Sequence, residues 1–272
     1  MENSSVRTAK SCLKGEIMQV HEIMKEPVIV GPEDHATRIR ALLRDKTRIV
    51  LVREDSKVLG MITRKDVMLL TSTKSNLKAR EIMSTPQVTF GPDKEVHEAG
   101  REMIERDVYS APVLGDSSVL GIVHMEEILQ SVYRPTSKKV SDIMTTDVVS
   151  CDISESVTRV WNLMEYHDFS GLPVTREVST SHRRYKKLEG FVTRKDILRN
   201  GTIRPGEEMH FSHPPAIEKA MTRTPKYVRP QDSVDACVNL FKEHDIGRLP
   251  VIRDGYELIG IVDREDVLTL YV

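Results

Sequence analysis

Two identical four-residue stretches, Thr63-Arg64-Lys65-Asp66 and Thr193-Arg194-Lys195-Asp196, each bring together a hydroxyl, two cations and a carboxylate. A carboxylate offers two acceptor oxygens, and the two hydroxyls of a ribose are donors at a matching separation. A helix that starts at the threonine presents free N–H groups and the positive end of its dipole, which suits an anion such as phosphate. The same spacing has a second reading, because Thr-x-x-Asp at a helix start is close to a capping box, which serves stability alone. Two further stretches depart from the pattern. Asp263-Arg264-Glu265-Asp266 keeps the last aspartate but replaces the threonine with a carboxylate, which repels phosphate unless a cation compensates. His124-Met125-Glu126-Glu127 puts the longer Glu127 where the aspartate stands, and a ligand position there is expected to be altered or empty.

These stretches close four copies of one longer pattern. The copies open at Val20, Ala79, Val140 and Ile217, each with a methionine at the fifth position: Met24, Met83, Met144 and Met221. The methionines are 59, 61 and 77 residues apart. Downstream come Arg44-Asp45, Arg106-Asp107, His167-Asp168 and His244-Asp245. Four residues after each aspartate begins IVLV, APVL, LPVT or LPVI, with no gap between helix and strand in this alignment. A glycine followed by an apolar pair (Gly60, Gly121, Gly190, Gly260) then leads into the four-residue stretch.

Each copy predicts the order β-α-β-β-α, and the chain is read as α/β (α+β). Short β-branched runs at Val28–Val30 and Val148–Ser150 read as first strands. Val157, Val160, Trp161 and Met164, like Val234, Val238 and Phe241, recur at helical spacing. Leu249–Ile252 and Leu258–Val262 flank Asp254-Gly255, a hairpin signal. The first copy has Val50 where the others have Pro112, Pro173 and Pro250, so its second strand is expected to start differently. His167 and His244 are expected at helix C-termini, where a cationic ring favours the dipole. A unit of this size is a marginal core on its own, so pairing of first with second and third with fourth is expected to bury the open sheet faces. The boundaries follow: an extension at 1–19, repeats at 20–72, 79–133 and 140–200, a linker at 201–215, and a repeat at 216–272.

The composition narrows the classes. The 272 residues are 39% hydrophobic and 30% charged, enough for a core and against wholesale disorder. Lys+Arg number 40 and Asp+Glu 41, so a nucleic-acid partner, which would want a basic excess, is not expected. No apolar run approaches the roughly 18 residues of a membrane span, and no secretory signal is expected. Cys12, Cys151 and Cys237 lie far apart, which suits a reducing cytoplasm rather than a disulfide framework.

The isoleucine-methionine opening, the central Leu-Pro-Val and the closing glycine–Thr-Arg-Lys-Asp run resemble the cystathionine-β-synthase (CBS) domain. Four copies resemble the gamma subunit of AMP-activated protein kinase and its archaeal stand-alone relatives. The resemblance implies two Bateman modules, each a pair of repeats with clefts at their interface for AMP, ADP or ATP. It assigns Asp66, Asp196 and Asp266 to ribose and Thr63 and Thr193 to phosphate. It adds Arg48 and Arg248, which align just before the second strand, as phosphate-binding cations; an ordinary solvated arginine is the competing reading. Adenine is placed against the main chain around Val28, Val148, Tyr227 and Val228, residues that are equally core strands.

The resulting expectation is a regulatory, ligand-sensing protein with no catalytic activity, catalytic cofactor or metal site. It would work in the cytoplasm as a monomer or homodimer, with a protein partner reading the ligand-driven shift. The alternatives are an interaction scaffold without ligand, an S-adenosylmethionine-type sensor and a nucleic-acid-binding regulator, the last resting on the basic run from His182 to Lys187. That run reads more simply as a solvated hairpin tip, His210 and His213 as linker residues, and the methionines as core filler.

Overall fold

The computed structural model describes residues 17–68, 76–116, 118–200 and 215–272. Cys12, His210, His213, most of the 1–19 extension and of the 201–215 linker lie outside them. Repeat one contains β1 (Ile29–Val30), α1 (Ala36–Asp45), β2 (Ile49–Glu54), β3 (Lys57–Thr63) and α2 (Arg64–Met68). Repeat two contains α3 (Ala79–Ile82), α4 (Val96–Glu105), β4 (Ser110–Leu114), β5 (Val119–His124) and α5 (Met125–Val132). Repeat three contains β6 (Cys151–Asp152), α6 (Val157–Tyr166), β7 (Gly171–Ser179), β8 (Arg184–Thr193) and α7 (Arg194–Arg199). Repeat four contains α8 (Val234–His244), β9 (Arg248–Arg253), β10 (Glu257–Asp263) and α9 (Arg264–Leu268). The expected strand at Val148–Ser150 forms later, at Cys151–Asp152, where it pairs parallel with Val174 and Thr175. In repeats two and four the first strand shrinks to single parallel bridges, Phe90 with Val113 and Val228 with Val251. Among the described residues no helix is long and apolar enough to cross a membrane.

The motif methionines and glycines explain one another. An added Cβ on Gly121 would meet Met24 Sδ at 2.6 Å, on Gly60 Met83 Sδ at 3.0 Å, on Gly260 Met144 Sδ at 2.9 Å and on Gly190 Met221 Sδ at 2.6 Å. Each methionine thus lies on the glycine of its sequence neighbour's hairpin, reciprocally between repeats one and two and between three and four. The residue after each methionine bridges the residue after that glycine: Lys25 with Ile122, Ser84 with Met61, Thr145 with Ile261 and Thr222 with Phe191. These methionines therefore clasp the pairs together rather than act as general core filler.

The larger apolar cores run the other way. One cluster joins Val50, Val52 and Ile62 of repeat one to Trp161, Met164 and Val192 of repeat three. The other joins Val113, Met125 and Ile128 of repeat two to Val234, Phe241 and Val251 of repeat four. Helices α1 and α2 pack on α7, and α5 packs on α9. Pairing of first with second and third with fourth is real at the level of exchanged segments. Helix faces add a second matching, one with three and two with four, that the sequence pattern does not name.

The gap-free alignment also needs correction. In three repeats the helix ends in a left-handed aspartate: Asp107 (φ 51°), Asp168 (φ 53°) and Asp245 (φ 50°). A short polar side chain tolerates that region. Repeat one instead closes through Lys46 at φ −113° and is one residue shorter here. Its strands are correspondingly offset: Val50 pairs with Ile62, whereas Pro112, Pro173 and Pro250 pair with Ile122, Phe191 and Ile261. Ile49, not Arg48, therefore occupies the place of Arg248.

The basic hairpin is not a free tip. Strands β7 and β8 extend it so that Lys187 pairs with Glu257 of β10, joining repeats three and four in one sheet ordered β6-β7-β8-β10-β9. Arg183 donates to Glu257 at 2.6 Å, and Arg253 grips the same carboxylate at 2.8 and 2.9 Å.

Candidate functional site

Both T-R-K-D stretches sit at a strand-to-helix junction as half-buried capping groups. Asp66 Oδ2 accepts from Thr63 N at 2.6 Å and from Thr63 Oγ1 at 2.8 Å. Asp196 Oδ2 accepts from Thr193 N at 2.9 Å and Thr193 Oγ1 at 2.6 Å, and Asp196 N returns a bond to Thr193 Oγ1 at 3.2 Å. These contacts use one carboxylate oxygen of each aspartate. The capping reading is therefore satisfied geometrically, and it leaves Oδ1 outside these bonds as the atom for a second donor.

The second residue of the stretch has a structural role that the sequence reading missed. Arg64 donates to Leu43 O (2.9 Å) and Thr47 O (3.0 Å), and Arg194 to Phe169 O (3.0 Å) and Met164 O (3.1 Å). Each arginine ties off the end of the preceding helix and its turn, where helix-end carbonyls need partners from outside the helix. Recurrence of arginine at this place in three of the four stretches was the available signal. Burial, with Arg48 nearby, pulls the Arg64 pKa down to about 10.

The core pairing brings the two T-R-K-D stretches together. Lys65 reaches Asp168 across the interface at 2.8 Å. Burial, then Arg199 and Arg64, lowers the Lys195 pKa. Arg48 lies at the meeting point of the repeats, ion-paired with Asp245 of repeat four and 3.1 Å from Glu126 of repeat two. Its cation is already engaged, in a turn position unlike that of Arg248.

Repeats two and four meet in a different setting. Asp263 caps α9, its Oδ1 accepting from Glu265 N (2.9 Å) and Asp266 N (3.1 Å). Asp266 Oδ2 accepts from Asp263 N at 2.8 Å. Arg248 Nε stands 3.5 Å from Asp263 Oδ2, and its guanidinium also bonds Ser170 and lies between the Tyr109 and Phe169 rings. Tyr109 donates to Glu265 Oε2 at 3.1 Å. Burial, with Asp263 beside it, pushes Asp266 up to about 7, and burial also raises Glu265. Arg264 differs from Arg64 and Arg194 in lacking their carbonyl bonds: it lies 3.1 Å from Glu126 and 3.8 Å from Asp245, and its buried Nε and Nη2 make no hydrogen bond of good geometry. In repeat two, Glu127 accepts from His124 N at 3.0 Å and is ion-paired with Lys25, so its carboxylate is occupied. Burial lowers the His124 pKa.

The adenine candidates are mixed. The Val28 carbonyl accepts from Leu51 N, and Val228 bonds Pro250 O and Ile252 N, so these groups already serve strand pairing. Val148 N bonds Thr146 O in a turn, and the Tyr227 ring meets Tyr256 edge-on at 5.6 Å. A cavity of about 380 Å³ lies elsewhere, at the repeat-three hairpin, lined by Ser150, Asp152, Thr175, Glu177, Tyr185 and Lys186 among others. No cluster among the described residues has a metal-ligand arrangement, and burial pushes the Cys151 and Cys237 thiols up to about 12.

Four clasped β-α-β-β-α repeats with capped strand-to-helix junctions define a class. The CBS domain family matches residues 20–71, 79–134, 140–201 and 217–272, and the chain belongs to that family. Protein MJ1225 of Methanocaldococcus jannaschii is 22% identical over 247 residues, 80% of this chain and 84% of its own. Its crystal structure matches with a TM-score of 0.81 at 21% identity, over 94% of this chain and 100% of that one. MJ1225 has been put forward as an archaeal homologue of the gamma subunit of AMP-activated protein kinase. The uncharacterized protein MK0525 of Methanopyrus kandleri is 31% identical over 121 residues, 42% of this chain and 62% of that protein.

Proposed function

We propose that this chain is a regulatory sensor of adenosine nucleotides rather than an enzyme. Asp66 and Asp196 take ribose hydroxyls through Oδ1, and Thr63 and Thr193 take phosphate. The observation that carries this reading is the meeting of two identical T-R-K-D junctions across one interface, amid Lys65, Lys195 and Arg199. A cationic neighbourhood lowers the cost of an incoming phosphate. Arg48 serves as a phosphate cation only by exchanging its carboxylate partners for the ligand. Such an exchange changes the contacts between repeats one, two and four, which gives the ligand different affinity for two arrangements. A cytoplasmic protein partner reading that change is the implied output.

Calorimetric titration with AMP, ADP and ATP tests the reading. Asp196→Ala is expected to weaken AMP and adenosine alike, and Thr193→Ala to weaken AMP more than adenosine. Equal losses for both variants and both ligands would remove the role assignment. The occupied carboxylate of Glu127 favours a scaffold role for repeat two specifically, with no ligand of its own.

A further inference from the structure

We propose that the long hairpin of repeat three is a strap that holds repeats three and four as one unit, so that rearrangement within a sequence pair is confined to repeats one and two. The two pairs are otherwise closed alike. Each has two Met–Gly clasps, and each clasp is sealed by two reciprocal main-chain bonds. In repeats one and two the donors are the N–H groups of Lys25, Ile122, Met61 and Ser84, at 2.8 to 2.9 Å. In repeats three and four they are those of Thr145, Ile261, Phe191 and Thr222, at 2.8 to 3.0 Å.

The strap exists on one side only. Strands β7 and β8 run nine and ten residues, against six and seven for β2 and β3. Lys187 of β8 pairs with Glu257 of β10, and both stand three residues before their motif glycine. The same places in repeats one and two are Lys57 and Ser118, and among the described residues no bridge joins β3 to β5. The added length of the repeat-three hairpin brings Arg183 to Glu257, whose side chain is only 10% exposed. That carboxylate is shared between Arg253 of its own hairpin and Arg183 of the strap. Arg183 stacks on Tyr185 at 4.8 Å, and the Tyr185 hydroxyl lies beside Gly255 in the turn of the repeat-four hairpin. Parting the two hairpins therefore strips a cation from a buried carboxylate as well as breaking the strand bridge, and removing one partner of such a pair is costly. Arg48 touches Glu126 of repeat two and Asp245 of repeat four. With repeats three and four strapped, a change at Arg48 is taken up between repeats one and two. The strap itself needs no ligand, so its test stands apart from the nucleotide reading.

Amide hydrogen exchange of the full chain, followed residue by residue by NMR, compares the eight clasp amides. Those of repeats three and four are expected to exchange at least about tenfold more slowly than those of repeats one and two. Arg183→Met removes the bond across the repeats and leaves Arg253 on Glu257. It should speed the four amides of repeats three and four about fivefold or more, with the other four within about twofold. Glu257→Gln keeps the shape, removes the charge and should act on the same four. If that variant fails to fold, Arg183→Met decides alone, because its side chain is 51% exposed at the hairpin tip. Exchange within about twofold between the two sets in the parent overturns the proposal. So does Arg183→Met that alters both sets alike or neither.

Discussion

The half of the molecule built from repeats one and three and the half built from two and four share a fold but differ in charge at matching positions. Each T-R-K-D stretch carries a formal net charge of +1, whereas H-M-E-E and D-R-E-D each carry −2. Alternation along the sequence would have spread these charges evenly had the shared helix-packed cores joined neighbours. Because the shared cores join one with three and two with four, like meets like. The helix-end arginines follow the same division in part. Arg64 and Arg194 bond carbonyls, Arg194 meeting Glu165 and Asp168 as well, while Arg264 is drawn to the carboxylates of Glu126 and Asp245. A fold that is pseudo-symmetric in backbone can thus be polarised by which repeats share a core.

The largest expected effects break one half at a time. Trp161→Ala and Phe241→Ala each empty a buried site in a different core and should cost about 3–5 kcal/mol in urea unfolding. A cost below 1 kcal/mol for either would deny that core its part in stability. Next comes the contrast between the arginines. Arg64→Met strands two carbonyl acceptors and should cost about 1.5–3 kcal/mol. Arg264→Met removes a cation whose buried nitrogens are poorly bonded and should cost less. The reverse order would show that the ionic contacts to Glu126 outweigh the carbonyl bonds.

A titration separates the halves further. Asp266 is raised from its usual 3.8 to about 7 by burial and by Asp263. Between those values the folded chain holds a proton that the unfolded chain has released. This contribution to stability is present below about pH 4 and is lost as pH rises through about 7. Asp266→Asn should therefore flatten the fall in stability across that window, relative to the parent. An unchanged slope would place the titrating group elsewhere. The smallest effect belongs to Lys65→Ala, which removes a largely exposed ion pair with Asp168 and should cost about 0.2–1 kcal/mol in low salt and less in high salt.

Much of this was legible in the sequence. The fourfold repeat, the β-α-β-β-α order, the Asp254-Gly255 turn and the capped junctions all follow from local periodicity and turn chemistry. The missing residue in repeat one was hidden because Ile49-Val50-Leu51-Val52 is apolar at every position. Sliding that run by one residue leaves its pattern unchanged, and only strand register exposes the slip. It misplaced Arg48 beside Arg248. The choice of core partners was equally hidden, since an apolar helix face does not name the face it covers. The Met–Gly clasp was half legible: both residues stood out, but their contact crosses repeats and appears only in the fold. At the candidate site the aspartates and threonines were placed correctly at helix starts. The arginines between them were overlooked because their partners are main-chain carbonyls.

The most direct measurement is calorimetric titration of AMP into the parent chain and into Asp66→Ala/Asp196→Ala, both shown to be folded. The account predicts saturable binding to the parent and at least about a tenfold loss in the variant. AMP affinity unchanged by the two substitutions would contradict it, because the junctions of repeats one and three would then be helix caps and nothing more.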